Sequence, residues 1–277
     1  RKIEYRTAEG RDLKGWILLP VGYESGKKYP AVVVIYPGMM QGDNPPGGHA
    51  RNINNHSALN FQLLAARGYA VLYPSIPLKP EGETSDPLPE VSKGVLPAVD
   101  MMIETGVADP DRLGVIGHSY GGYGVYGLLA QTKRFKAGVS LAGLSELISL
   151  YGTIDARFRY DRNAHERWFG MSLAETGQLR MGSAPWKDTE RYIRNSPIFS
   201  ADKIDTPLMI IQGDLDYIAI QQGEQMFSAL HRQNKRASFV RYWGEGHVIE
   251  GPANVQDMWR RIFAWFDEFL GAKAYPA

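Results

Sequence analysis

One serine in the sequence stands in a setting that can make it a nucleophile. Residues 117–121 read Gly-His-Ser-Tyr-Gly, so Ser119 occupies the centre of a Gly-x-Ser-x-Gly pattern. The apolar run 113–116 before it predicts a buried strand, and the small and apolar residues 123–130 after it predict a helix. A sharp strand-to-helix turn strains the serine backbone and leaves no room for neighbouring side chains, so it requires the two glycines. The five residues alone also fit an ordinary glycine-rich turn, but in this context they predict a nucleophile elbow.

A serine hydroxyl also needs a histidine as general base and a carboxylate that orients this histidine. When the serine lies in an elbow, the expected chain order is serine, acid, histidine, with each residue in a loop after a strand. His247 follows the predicted strand 238–242 and has the expected place. Asp214 and Asp216 both follow the predicted strand 208–211. Asp214 is closer to the strand end, where it can instead cap the turn, and order alone leaves both open as the acid.

The other histidines fit the role of base less well. His118 lies inside the elbow, so we expect its side chain to point away from Ser119 and to pack. The remaining four are interpreted as solvated or packed residues: His49, His56, His165 and His231. The sequence has no His-x-x-Glu-His or similar spacing and no cysteine, so we expect no metal, no cofactor, no disulfide and no thiol chemistry.

The negative charge that forms on a substrate carbonyl oxygen needs two hydrogen-bond donors. The backbone N–H of Tyr120, at the start of the predicted helix, supplies one. The second should come from the turn after the predicted strand 31–36. Pro37 has no N–H, so the phenol of Tyr36 is the candidate donor. The alternative is that Tyr36 only packs at the strand end.

The elements that must position these groups alternate between strand and helix from residue 31 to the end. This alternation predicts a mostly parallel sheet with helices on both faces, and active groups at the carboxyl ends of its strands. Eight strands are predicted: 3–6 and 14–19 as a hairpin, then 31–36, 70–73, 113–116, 137–142, 208–211 and 238–242. Besides 123–130, the predicted helices are 58–67, 91–105, 221–233 and 255–270, the second of which starts or kinks near Pro97. The last helix carries an apolar stripe that favours core packing over a partner surface, and residues 143–203 show no strand pattern and predict a helical insertion over the catalytic edge.

Composition narrows the function classes. The chain has 277 residues, a net charge of +1 and no basic block, so neither nucleic acid nor a membrane surface is expected as a partner. No apolar run is long enough to span a bilayer. Because the chain begins at Arg1 without a signal peptide, we expect a processed protein or part of a longer one. We expect a soluble protein, either cytoplasmic or exported with its signal removed, and homo-oligomerisation is left open.

The sequence resembles the catalytic domain of the prolyl oligopeptidase family of serine peptidases over nearly its whole length. The similar segments are residues 12–20 (DLKGWILLP), 28–30 (KYP), 109–114 (DPDRLG), 117–123 (GHSYGGY), Ser196-Pro197 and Gly213-x-x-Asp216. The resemblance implies an α/β-hydrolase fold, and a serine hydrolase that cleaves peptide or aminoacyl amide bonds through an acyl-enzyme. It also implies Ser119, Asp216 and His247 as the catalytic triad, and the Tyr36 phenol with the Tyr120 N–H as the oxyanion hole.

The sequence also departs from the family pattern. The frequent His-Gly-Gly-Pro after strand 31–36 is absent, and the Val-Pro often found after the catalytic Asp is Ile218-Ala219. No β-propeller repeats occur, so residues 1–277 are expected to be one α/β-hydrolase domain. A carboxylesterase acting on small esters with the same triad and a non-catalytic binding protein remain alternatives. Polar and aromatic residues of the insertion either line a substrate pocket or form a solvated face: Arg157, Arg159, Tyr160, Arg162 and Trp168.

Overall fold

A computed structural model describes residues 1–46, 59–153 and 169–271. Within these residues, eight strands form one sheet in the order β1-β2-β4-β3-β5-β6-β7-β8. The strands are β1 Lys2–Arg6, β2 Asp12–Leu18, β3 Tyr29–Val34, β4 Ala70–Tyr73, β5 Ala108–His118, β6 Ala137–Leu141, β7 Leu208–Gly213 and β8 Ala237–Tyr242. β2 is antiparallel to both β1 and β4, and all other pairs are parallel. The predicted sheet is therefore confirmed, including the hairpin at its edge.

A helix follows each of the parallel strands, and α8 follows the last of them, β8. They are α1 Gln62–Ala66, α2 Pro87–Glu104, α3 Tyr120–Gln131, α4 Leu147–Gly152, α5 Phe169–Glu175, α6 Thr189–Arg194, a 3-10 helix Pro197–Lys203, α7 Gln221–Arg232 and α8 Pro252–Leu270. The described part of the predicted insertion, 143–153 and 169–203, is helical with no strand. None of the helices in the described ranges combines the length and apolarity that a bilayer crossing needs.

Several boundaries differ from the sequence prediction by a few residues, and two of these differences have a clear cause. α2 does not start near Pro97: it begins at Pro87, and Pro97 lies inside it. Proline fits the first turn of a helix, and the buried side chains of Leu88 and Val91 anchor that turn to the core. β5 begins at Ala108, five residues before the apolar run, because Ala108 pairs with Tyr29 of β3.

The core lies on both faces of the sheet, because the central strands present successive residues to opposite sides. Val33 and Val115 are opposite each other in the register of β3 and β5 and face the layer of α2, α3 and α7. Val32 and Ile116 face the layer of α1 and α8. The apolar stripe of α8 is buried in that second layer, which confirms the core-packing interpretation; its buried members are Val255, Met258, Trp259, Ile262, Trp265, Phe266 and Leu270.

We expect Phe266→Ala to lower the free energy of unfolding by about 3–5 kcal/mol, because it empties a fully buried ring site. Phe266 is 0% exposed and packs so closely on β5 that a Cβ on Gly114 would lie 2.8 Å from its Cε1. Phe263→Ala, on the same helix but only partly buried, is the control and should cost about 1–2 kcal/mol. Urea unfolding of both variants measures the difference. Equal losses would contradict the assigned packing.

Candidate active site

The turn between β5 and α3 holds Ser119 in a strained backbone conformation. Its φ is 59° and its ψ is −118°, in a region that residues with a side chain rarely adopt. Two hydrogen bonds hold it there: the Ser119 N–H donates to the carbonyl oxygen of Leu141 at 2.8 Å, and its own carbonyl accepts from the N–H of Tyr123 at 3.1 Å. The serine therefore stands at the carboxyl end of a central strand and at the start of a helix, as the elbow pattern predicts.

Both glycines of the pattern are required by close backbone approach. A Cβ on Gly117 would lie 2.4 Å from the carbonyl carbon and oxygen of Gly121. A Cβ on Gly121 would lie 2.3 Å from the carbonyl oxygen of Ile35, the residue directly after β3. The elbow is thus packed backbone against backbone, and any side chain at either position would displace the serine.

Asp216 and His247 are hydrogen-bonded to each other across two neighbouring loops. His247 Nδ1 lies 2.8 Å from Asp216 Oδ1, with the histidine side chain 14% exposed and the aspartate side chain 0% exposed. Asp216 Oδ1 also accepts the Ile218 N–H at 2.8 Å, while Oδ2 is buried with no hydrogen-bond partner among the described residues. The contact holds the imidazole with its Nδ1 toward the carboxylate, which fixes the orientation of the ring.

The competing carboxylate, Asp214, has a different environment. Its Oδ1 accepts the Gly244 N–H at 2.6 Å, and its own N–H donates to the carbonyl oxygen of Tyr242. Asp214 therefore ties the turn after β7 to the turn after β8. Of the two candidates for the acid, Asp216 is the one that contacts His247.

The residue before the serine connects the elbow to the His247 loop. His118 packs, as the sequence analysis expects, but its partner is His247: its Nε2 lies 2.7 Å from the His247 carbonyl oxygen. The two rings are 4.6 Å apart. Because the two residues are 129 positions apart, no local pattern predicts this contact.

An aromatic ring that sequence reasoning missed also packs against the imidazole. The ring of Tyr217 lies 4.2 Å from that of His247, tilted by 33°, and Phe169 in turn packs edge-on against Tyr217 at 5.0 Å. The only sequence signal that could have pointed to Tyr217 is its position directly after Asp216. These rings hold the plane of the imidazole and narrow its access to water.

Tyr36 lies beside the elbow, two residues after β3. Its ring is 6.0 Å from that of Tyr120 in an edge-on arrangement, and its hydroxyl donates to Gln178 Oε1 at 3.1 Å. Burial, and then the negative charge of Glu81, raise the pKa of Tyr36, while hydrogen-bonding interactions with the side chains of Ser119 and Gln178 oppose the rise. The phenol therefore stays protonated at neutral pH and can donate. Tyr120 is the first residue of α3, so its N–H has no acceptor within the helix.

A buried glutamate braces the loop that carries His247. The carboxylate of Glu245, 6% exposed, accepts the N–H groups of Glu250 and Gly251 at 2.8 and 3.0 Å and the Asn254 side chain at 2.5 Å. The Glu245 carbonyl accepts the Leu215 N–H at 2.9 Å. The brace therefore joins the histidine loop to the start of α8 and to the loop of Asp216.

One described histidine that the sequence analysis names, His231, takes no part in these contacts. His231 is an exposed residue in the last turn of α7, where its ring stacks on Phe227. Others lie outside the described residues: His49, His56, His165, Arg157, Arg159, Tyr160, Arg162 and Trp168. In the part of the chain that the structure describes, no group of three or more histidine, cysteine, aspartate or glutamate side chains could hold a metal ion.

Comparison with known sequences identifies a family for most of the chain. The model of the prolyl oligopeptidase family matches residues 90–273. The chain is 30% identical to the uncharacterized peptidase YuxL of Bacillus subtilis over 97% of its own length and 39% of that protein. It is 28% identical to dipeptidyl-peptidase 5 of Porphyromonas endodontalis, over 95% of its own length and 36% of that protein. The chain thus spans less than two fifths of the length of these relatives.

Solved structures agree on the fold. An acylaminoacyl peptidase of Pyrococcus horikoshii superposes with a TM-score of 0.75 at 22% identity, covering 100% of this chain and 42% of that one. A puromycin-hydrolyzing peptidase of Mycobacterium tuberculosis gives a TM-score of 0.77 at 20% identity, covering 100% of this chain and 40% of that one. The fold is that of the α/β-hydrolases, as the sequence analysis predicts.

We expect Glu245→Gln to destabilise the protein at neutral pH and to matter less in acid. Burial pushes the pKa of Glu245 up, but its three donors outweigh burial and hold the pKa below the ordinary value of 4.5. The ionised carboxylate therefore contributes stability above about pH 4.5, and this contribution is lost as the pH falls through the lower pKa of the folded state. Melting temperatures of wild type and variant across this range measure the effect. A gap between them that does not change with pH would contradict it.

Proposed function

The chain belongs to the prolyl oligopeptidase family of serine peptidases, and we propose that it cleaves peptide or aminoacyl amide bonds through an acyl-enzyme on Ser119. The observation that carries the proposal is the hydrogen bond between buried Asp216 and His247, in loops packed against the strained turn of Ser119. A histidine fixed by a buried carboxylate beside an elbow serine is the arrangement that activates a hydroxyl for attack on a carbonyl.

His247 acts as the general base. Its Nδ1 bonds to Asp216, which leaves Nε2 to accept the proton of the Ser119 hydroxyl. The charge of Asp216 stabilises the imidazolium that forms, and His247 then passes the proton to the leaving amine. Water then attacks the ester on Ser119. His247 takes a proton from this water and returns it to the Ser119 oxygen, and the acyl group leaves as the free acid.

The oxyanion of the tetrahedral intermediate accepts two hydrogen bonds. The Tyr120 N–H supplies one from the N-terminus of α3, where the helix dipole also favours negative charge. The Tyr36 hydroxyl supplies the other, and its raised pKa keeps the proton in place when the negative charge develops beside it. The Tyr120 N–H is fixed by α3 before the substrate arrives, whereas the Tyr36 O–H, which bonds to Gln178 in the resting structure, has to turn toward the oxyanion.

The proposed substrates are peptides or small aminoacyl amides. Relatives named as dipeptidyl-peptidases and a structural neighbour named as an acylaminoacyl peptidase support a substrate of this class. A carboxylesterase would use the same serine, aspartate and histidine. These three residues therefore do not distinguish an esterase from a peptidase, and the measured turnover of ester and amide substrates has to do so.

We expect Ser119→Ala to abolish labelling by a fluorophosphonate probe and to lower turnover by three or more orders of magnitude, roughly, because the attacking oxygen is removed. The substrates are p-nitrophenyl butyrate and a panel of aminoacyl and peptidyl nitroanilides. If the variant is labelled like wild type, the proposed nucleophile is wrong. Turnover of the ester with none of the nitroanilides would favour the carboxylesterase.

Asp216→Asn should lower kcat by roughly three to four orders of magnitude, because asparagine cannot supply the negative charge that stabilises the imidazolium. Asp214→Asn is the matched control, two residues away in the same loop and bonded to Gly244 instead. It loses part of one exposed hydrogen bond and should stay within about tenfold of wild type. If Asp214→Asn lowered kcat more than Asp216→Asn does, the assignment of Asp216 as the acid would be wrong.

A further inference from the structure

A glutamine outside the elbow and outside the loops of Asp216 and His247 contacts the proposed oxyanion donor. Gln178 lies in the segment between α5 and α6, and its Oε1 accepts the hydrogen bond of the Tyr36 hydroxyl at 3.1 Å. The two residues are 142 positions apart. The Tyr36 ring also lies 6.0 Å from that of Tyr120, the residue after Ser119, so Gln178 meets Tyr36 beside the elbow.

The segment that carries Gln178 is hydrogen-bonded to the preceding helix, α5. The backbone N–H groups of Met181 and Gly182 donate to the carbonyl oxygens of Ala174 and Glu175 in α5, at 2.8 and 3.0 Å. One further residue anchors the segment from within.

Arg180 is that anchor. It is 6% exposed and has a positive φ of 58°, which is a strained conformation for a residue with a side chain. Its guanidinium donates to the carbonyl oxygens of Lys79 and of Gln178 itself. It also lies beside the Tyr120 phenol, where its charge opposes the rise in pKa that burial causes. Arg180 therefore ties the backbone of Gln178 to that of Lys79.

A phenol has one O–H, and in the resting structure the O–H of Tyr36 is directed at Gln178. To stabilise an oxyanion, that O–H must turn toward the substrate, and the phenol oxygen then needs a donor to stay in place. A primary amide can meet both needs, since it carries an acceptor oxygen and a donor NH₂ at one end and exchanges them by rotating about its last bond.

We propose that Gln178 is a positioning residue for the oxyanion hole. Its Oε1 accepts from Tyr36 before the reaction, and its Nε2 donates to the Tyr36 oxygen once the phenol O–H has turned to the oxyanion. The second bond also polarises the phenol and strengthens its donation, as in any chain of hydrogen bonds. This inference rests on the proposed function, because it needs an oxyanion beside Ser119.

Substitution by glutamate separates this role from simple packing. Glutamate has the shape of glutamine, but its ionised carboxylate only accepts, so it would hold the Tyr36 O–H away from the oxyanion. Gln178→Ala removes the contact and should lower kcat by about 3- to 10-fold, the worth of one ordinary hydrogen bond. Gln178→Glu should be worse and approach the roughly 10²-fold loss expected for Tyr36→Phe.

The experiment measures kcat and KM for these variants, with the fluorophosphonate labelling rate as a readout that needs no known substrate. KM should change little, because the contact matters only when negative charge forms. In the Tyr36→Phe background, Gln178→Ala and Gln178→Glu should cause no further loss, since there is no hydroxyl left to orient. Thr176→Ala is the control in the same segment, because the Thr176 hydroxyl bonds to the Ser172 carbonyl and not to Tyr36 or Gln178, and it should match wild type.

Two results would overturn the inference. One is a Gln178→Glu variant that is as active as wild type. The other is a loss from the Gln178 substitutions that is equally large with and without the Tyr36 hydroxyl, which would indicate packing alone. Ser119→Ala tests the proposed function separately. If the Ser119 variant stays active, the proposed function is wrong. If that variant is inactive but the effects of the Gln178 and Tyr36 substitutions are independent of each other, only the role of Gln178 is wrong.

Discussion

The site depends on a backbone conformation at Ser119 that the residue would not adopt by itself. A serine with φ of 59° costs on the order of 1–3 kcal/mol and persists only where the surroundings leave no alternative. Here the Ser119 N–H donates to β6, and its carbonyl accepts the first backbone hydrogen bond of α3. Gly121 lies in close contact with the chain directly after β3. The packing and hydrogen bonds of the sheet thus offset the strain at Ser119 and hold its hydroxyl at the edge of the sheet.

The sheet order explains why distant residues meet there. β3, β5, β6, β7 and β8 are consecutive neighbours and run in parallel, so the loops that follow them emerge at one edge. Tyr36, Ser119, Asp216 and His247 belong to four of these loops. Their convergence follows from the parallel arrangement of these neighbouring strands.

The loops themselves are cross-braced by polar contacts. His118 joins the elbow to the His247 loop, Glu245 joins that loop to α8 and to the loop of Asp216, and Arg180 fixes the segment that reaches Tyr36. Each brace uses a buried or partly buried polar group whose partners are mostly backbone atoms. Such contacts favour precision of position over net stability, because a buried polar group gains little beyond the cost of its desolvation.

By itself the sequence determined the elements and the candidates for chemistry, because both follow from local rules. Apolar runs specify buried strands, glycines at 117 and 121 specify the tight turn, and the order of serine, acid and histidine narrows the site to a few residues. Choices between near neighbours, such as Asp214 and Asp216, needed the resemblance or the fold, since both have the same local setting. Contacts such as His118 with His247 or Gln178 with Tyr36 join residues more than a hundred positions apart. Only the tertiary structure decided these, because the free energy of a long-range hydrogen bond is set by packing that no short stretch of chain encodes.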